Sequence, residues 1–340
     1  MTRPLVLSAP EPRSLDLIFS QTARDELHDR YDVLDVAPKD IDSIHEENLA
    51  DARYIIGQPA LSRATLAEMT GLRCIFNVES NLIDNMPYDD LFARGIHVVT
   101  TGAVFAEPVA ELGIAMALCL ARDVLEADLA FREGSELWGG AGNQSSQLLS
   151  HSNIGIIGFG DLGRALARLL VGFRAEISVY DPWIPPSMLT DAGVNPATLD
   201  TVLQSSDTIF VVASVTAENQ GFLNAVSFKQ MRKGARLILL SRADVVDFAD
   251  LMAAVRSGHI LAASDVFPEE PLPSDHPVRG LKGFLRSAHR AGALDSAFKR
   301  MGDMVLEDMS LIDQDLPPMR CKRAERETVF RLRSKPVTTN

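Results

Sequence analysis

Gly158, Gly160 and Gly163 stand in a Gly-x-Gly-x-x-Gly string that directly follows the apolar run 153–157 and opens a segment able to form a helix. The first glycine permits a tight turn, the second lets a pyrophosphate approach the backbone, and the third lets helix and strand pack closely. The start of the helix then faces the negative charge. Asp181 ends the next apolar run, 176–180, 18 residues after Gly163, where a ribose-reading acid belongs. An Asp there accepts hydrogen bonds from ribose hydroxyls and repels a 2′-phosphate, which favours NAD over NADP. A Gly-rich turn with a solvated Asp is the plainer alternative, but strand, turn, helix, strand and acid occur in the required order.

Further along, Arg242 follows the run 236–240, Asp265 and Glu270 follow 260–263, and His289 follows 284–286. Ligands of an open parallel sheet bind outside the carboxyl ends of its strands, so all four would project from the edge that carries the glycine turn. An Arg, a carboxylate and a His beside a nicotinamide can supply a carboxylate clamp, a partner that sets a pKa, and an acid/base. Taken singly, Arg242 reads equally as one half of a structural salt bridge and Glu270 as a solvated loop acid before Pro271. His28, His45, His97, His151, His259 and His276 read as surface or loop histidines, since none has comparable neighbours. No Ser or Cys stands with a partnered base, and no spacing suits a metal.

Two alternations of short apolar runs and amphipathic segments must position these groups. The first has strands expected at 15–19, 33–36, 54–56, 72–78 and 96–100, and helical segments at 22–30, 42–49, 62–70 and 88–94. A long helix is expected from Pro108 towards Ala130, its apolar residues spaced by three or four, and 134–150 reads as a loop. The second alternation places strands at 153–157, 176–180, 208–213, 236–240, 260–263 and 284–286. The fold class is therefore α/β. From Gln314 the chain turns basic, with Arg320, Lys322, Arg323, Arg326, Arg331, Arg333 and Lys335, and reads as a solvated helix or tail packed on the first domain or on a neighbouring subunit.

The 340 residues suffice for two domains with sizeable cores. Thirty-three Lys and Arg against 46 Asp and Glu give a net charge of −13, which repels phosphate backbones and makes nucleic acid an unsuitable partner. Cys74, Cys119 and Cys321 lie far apart, consistent with a reducing compartment, and the cytoplasm is inferred. The longest strongly apolar stretch, 112–121, falls short of the roughly 20 residues needed to span a bilayer. Glu11 and Asp16 sit where an export signal would be apolar.

At these residues the sequence resembles the D-isomer-specific 2-hydroxyacid dehydrogenase family, from about Ala52 to Asp313. The matching blocks are the glycine turn, Tyr180-Asp181-Pro182, Pro108-Val109-Ala110-Glu111, Gly234-Ala235 through Ser241-Arg242 to Val246-Asp247, Asp265-Val266-Phe267-Pro268-Glu269-Glu270-Pro271-Leu272-Pro273, and His289 followed by Gly292. The resemblance implies two doubly wound parallel-sheet domains, a Rossmann cofactor domain (103–295) inserted into a flavodoxin-like substrate domain (1–102 plus 296–340), in a homodimer. It implies that Arg242 binds the substrate carboxylate and polarises the 2-oxo group, that His289 is the proton donor and acceptor, and that Glu270 holds His289 and favours its charged form. Asp161, Leu162, Ala213, Ser241 and Asp265 join the three glycines, Asp181, Arg242 and His289 around the cofactor, with Asp265 near the nicotinamide.

The implied reaction is NAD-dependent hydride transfer at C2 of a small D-2-hydroxy or 2-oxo acid, with glyoxylate and hydroxypyruvate as first substrates. The same fold also serves NAD(H)-sensing co-repressors, but the set Arg242, Glu270 and His289 favours catalysis. Formate oxidation is disfavoured, because those relatives carry Gln in place of Glu270. Three departures stand out. The usual Gly-rich, carboxylate-holding loop reads Val78-Glu79-Ser80-Asn81 and sets an acid by the expected pocket, Ala288 replaces a Pro before the His, and Leu239 replaces an Asn.

Overall fold

The computed structural model describes residues 3–79, 82–216 and 218–330. Its chain divides into two compact units, one made of 1–105 with 293–340 and the other of 106–292.

In the first unit, β1 (Leu5–Ala9), β2 (Asp32–Asp35), β3 (Ala52–Gly57), β4 (Cys74–Asn77) and β5 (His97–Thr100) are parallel, in the order β2-β1-β3-β4-β5. That is the flavodoxin-like order. β1, β3 and β4 are buried on both faces, and their Val, Ile, Leu and Phe side chains feed one apolar cluster on each side of the sheet. Each such side chain stabilises the fold by about 1.5–3 kcal/mol.

One expected strand is a helix. Leu15–Ile18 is a single helical turn, because the Ser14 hydroxyl accepts the Leu17 N–H at 3.2 Å and caps it. Ile18 and Phe19 then pack on the helix Asp295–Ile312, whose Gly302 leaves the space the Phe19 ring fills. A run of five apolar-rich residues cannot distinguish helix from strand by period. The strand that opens the sheet is instead β1, between Pro4 and Pro10.

The second unit follows the same logic. β6 (Asn153–Ile157), β7 (Glu176–Tyr180), β8 (Asn195–Pro196), β9 (Thr208–Val211), β10 (Arg236–Leu239), β11 (Leu261–Ser264) and β12 (Phe284–Arg286) form a parallel sheet ordered β12-β11-β10-β9-β6-β7-β8. Strand order reverses between β6 and β9, the point at which such sheets bind dinucleotides.

The expected helix 108–130 is two helices, Ala106–Arg122 and Val124–Glu133, separated by Asp123 in the left-handed region at φ 54°. Asp tolerates that conformation better than most residues. The segment Gly102–Arg122 is long and apolar enough to cross a membrane by length and composition. Its second part, from Ala106, packs against the helix Asp161–Leu170 and against β10 and β11, as a core helix does. No residue of Val124–Glu133 is buried.

The basic C-terminal segment is an edge strand of the first unit. β13 (Lys322–Arg323) pairs antiparallel with β5, and a short helix, Arg326–Val329, follows. Asp308, fully buried, accepts the N–H groups of Met319, Arg320 and Cys321 at 2.7–2.9 Å and so holds this segment down. Arg331, Arg333 and Lys335 lie outside the described residues.

Candidate active site

The glycine turn sits at the carboxyl end of β6. Gly158 has φ 94°, which disfavours any side chain, and a β-carbon there would lie 2.5 Å from the Ala213 Cα just beyond β9. A β-carbon on Gly163 would meet the Gly158 carbonyl oxygen at 2.4 Å, so the helix Asp161–Leu170 packs on the turn only with glycine. Gly160 differs from both. A β-carbon there would meet no atom within 4 Å, and as N-cap it offers no side-chain acceptor to the N–H groups that follow.

The turn thus presents open space in front of a helix start whose first turn holds Asp161 and Leu162, a fit for a pyrophosphate. Asp181, at the end of β7, is more than a solvated acid: its carboxylate accepts the Phe159 N–H at 2.7 Å and the Trp183 N–H at 2.9 Å, pinning the turn to the neighbouring strand. Ser241, beyond β10, holds a buried hydroxyl with no hydrogen-bond partner, a polar atom available to a bound ligand.

Arg242, Asp265, Glu270 and His289 follow the adjacent strands β10, β11 and β12 at their carboxyl ends. Arg242 enters the short turn Ala243–Val245 and donates from Nη1 to the Ser241 carbonyl at 2.7 Å. His289 Nδ1 lies 2.5 Å from Glu270 Oε2, and Glu270 Oε1 accepts the Phe267 N–H at 2.8 Å. Burial alone would push the Glu270 carboxyl up. The hydrogen bonds from His289 and Phe267, with the charges of His289 and Arg242, outweigh it and hold the group below the ordinary carboxylate range.

The His289 side chain is 45% exposed. Its backbone is left-handed, φ 48°. Asp265 is 1% exposed; its carbonyl accepts the His289 N–H at 2.7 Å, and its carboxylate accepts the Arg290 and Ala291 N–H groups at 3.1 and 3.0 Å.

In the first unit, Val78 and Glu79 follow β4. Val78 is buried, while the Glu79 carboxylate meets Arg13, with Nη2 donating to Oε2 at 3.0 Å and Nε 2.9 Å from Oε1. Arg13 Nε also donates to the Val78 carbonyl at 3.0 Å, and its guanidinium lies over the Phe298 ring at 4.7 Å. The acid expected beside the pocket is therefore neutralised within its own unit. Ser80 and Asn81 lie outside the described residues. Nothing in the local sequence marks Arg13 as a partner 66 residues from Glu79; only the fold brings them together. Among the described residues no group of three or more His, Cys, Asp or Glu could hold a metal ion.

Fold and turn together define a dinucleotide-binding α/β protein. Residues 114–291, just over half the chain, match the family model described as D-isomer specific 2-hydroxyacid dehydrogenase, NAD binding domain, and the chain belongs to that family. It is 32% identical over 240 residues to a glyoxylate reductase of Korarchaeum cryptofilum, covering 69% of this chain and 72% of that protein. It is 27% identical over 290 residues to the D-3-phosphoglycerate dehydrogenase of Bacillus subtilis, covering 85% of this chain and 54% of that longer protein. Among solved structures, a phosphoglycerate oxidoreductase from Rhizobium etli shares 67% identity and a TM-score of 0.90, over 96% of this chain and all of that one.

Proposed function

We propose that this protein transfers hydride between NAD(H) and C2 of a small D-2-hydroxy or 2-oxo acid of the glyoxylate or hydroxypyruvate kind. NAD(H) held by its pyrophosphate at the glycine turn would supply or accept the hydride through its nicotinamide. In reduction, His289 as imidazolium gives its proton to the oxygen on C2, a contribution of order 10²–10⁴-fold. Arg242 pairs with the substrate carboxylate and stabilises the negative charge that develops on that oxygen. Glu270 orients the imidazole through Nδ1.

The observation that carries this reading is the 2.5 Å contact between His289, beyond β12, and Glu270, beyond β11, the strand next to β10, which leads into Arg242. The cofactor is assigned to unit 106–292 and the substrate to the unit of 1–105 with 293–340, where the sequence expectation makes Val78, Glu79 and Ser80 the carboxylate-holding segment. NAD is preferred over NADP because Asp181 places a carboxylate at the end of β7. Three free thiols fit a cytoplasmic setting.

A homodimer is proposed as well. The helix Val124–Glu133 and the loop behind it expose Leu125, Leu129, Phe131, Leu137, Trp138 and Leu148, each about half or more accessible. Together they offer several hundred Å², on the scale of one partner's share of a standard interface, roughly 800 Å².

The test is NADH consumption with a panel of 2-oxo acids: glyoxylate, hydroxypyruvate and the 2-oxo acid corresponding to 3-phosphoglycerate. Steady turnover with any of them supports the enzyme, and the ranking identifies the substrate. NADH binding without turnover across the panel would replace it with an NAD(H)-sensing protein.

A further inference from the structure

Arg13 and Glu79 lie beyond the carboxyl ends of β1 and β4, at one edge of the first sheet, and the hydride and proton transfers above use neither. Ligands of an open parallel sheet bind at that edge. In the segments that follow β1, β3, β4 and β5, residues 10–14, 58–62, 78–87 and 101–105, Arg13 is the sole Lys or Arg, against the acids Glu11, Glu79 and Asp84. Arg63, just past the second of these segments, is paired with Asp90 at 2.6 Å. The unit therefore offers an anionic substrate one guanidinium.

A guanidinium has two edges that can each meet a carboxylate with parallel hydrogen bonds, Nε with Nη2 and Nη1 with Nη2. Glu79 takes the first: Oε2 accepts from Nη2 at 3.0 Å, and Oε1 lies 2.9 Å from Nε. The Phe298 and Phe105 rings, 4.7 and 5.7 Å from Cζ, help to fix the group. Nη1 has no partner among the described residues and is not sealed from solvent. The second edge is open on a guanidinium whose position is already set.

The loop's own backbone is engaged elsewhere. The Glu79 N–H, of the kind a Gly-rich loop would turn towards a carboxylate, donates to Asn77 Oδ1 at 2.8 Å, and the Glu79 carbonyl accepts the Thr100 hydroxyl at 2.6 Å.

We propose that Arg13 and Glu79 are a specificity pair: the open edge of Arg13 receives the substrate's carboxylate in place of loop N–H groups, and Glu79 keeps out substrates that carry a phosphate as well. This rests on the reading of the protein as a 2-oxo acid reductase and narrows its substrates to those with one anionic group. The pair has no net charge, so a lone carboxylate gains its hydrogen bonds against little opposing field. A phosphate ester brings up to two further negative charges towards Glu79, with no other cation in these segments to offset them.

Hydroxypyruvate and its phosphate ester, each assayed with NADH, test the pair. Arg13→Lys keeps the charge but has no second edge, so KM for hydroxypyruvate should rise at least about tenfold while kcat and NADH affinity stay within about twofold. Glu79→Gln keeps an oxygen for Arg13 and removes the charge, so kcat/KM for the ester relative to hydroxypyruvate should climb at least about fivefold.

An unmoved KM in Arg13→Lys would overturn the proposal, as would a loss confined to kcat, the mark of a structural role. So would a wild type that prefers the ester, or an unaltered ratio in Glu79→Gln. Should Arg13→Lys not fold, the ratio in Glu79→Gln decides alone. No turnover of either compound by the wild type would sink the reductase reading itself; wild-type turnover with insensitive variants would sink only the pair.

Discussion

The pairing of His289 with Glu270 sets two expectations at the scale of the residue. His289→Ala should leave NADH binding largely intact and cut turnover by about 10²–10⁴-fold, measured in parallel by titration and steady-state assay. Glu270→Gln removes the carboxylate that holds the imidazole at Nδ1, so turnover should fall at least about tenfold while NADH binding holds; unchanged turnover would show the two groups to be uncoupled. Stability carries a second signature of the pair. Glu270 lies below its ordinary value of 4.5, so its carboxylate favours the folded state above that pH, and the benefit fades as pH drops through the depressed value. Melting curves of wild type and Glu270→Gln should differ at neutral pH and converge in acid.

Arg242, Glu270 and His289 were legible because each follows an apolar run at the same edge of a parallel sheet. The Arg13 partner of Glu79 was not, nor was the grip of Asp265 on the 289–291 turn. Both depend on contacts between distant segments, and the second on backbone N–H groups, which carry no residue type.

At the scale of the element, the glycine turn is the feature the sequence stated most fully, since each glycine answers a contact later visible in space: Gly158 against Ala213, Gly163 against Gly158, and Gly160 left open. Gly163→Ala forces its methyl onto a backbone carbonyl that has little room to yield. The helix Asp161–Leu170 should shift, costing about 1–3 kcal/mol of stability by thermal unfolding and weakening NADH binding. Asp181→Ala should erode discrimination against NADP and also loosen the turn, because that carboxylate holds Phe159; a parent that already prefers NADP would refute the assignment.

Elements were misjudged where length removed the signal. The single turn Leu15–Ile18 and the two-residue strands β8 and β13 are too short for periodicity to register. The break at Asp123 went unseen because the apolar spacing continues across it, although no residue of the helix beyond it is buried.

For the molecule as a whole, a six-stranded sheet, parallel but for β13, and a parallel seven-stranded sheet repeat one architectural idea, and the chain returns at Ala293 to complete the unit it began. Asp308 secures that return. Asp308→Ala would leave three N–H groups, the buried one of Cys321 among them, without their acceptor and release β13 from β5, for a loss of about 3 kcal/mol in denaturant unfolding. The exposed residues of 124–148 make a different prediction. Trp138→Glu with Phe131→Asp should yield a monomer by analytical ultracentrifugation where the wild type is a dimer, and a monomeric wild type would reject that surface as the interface.

Transfer of label tests the central claim most directly. With NADH deuterated on the reacting face of its nicotinamide and hydroxypyruvate as acceptor, deuterium should appear at C2 of the D-product. His289→Ala should slow its appearance at least about a hundredfold. A product without deuterium at C2, or equal rates in the two proteins, would contradict the account.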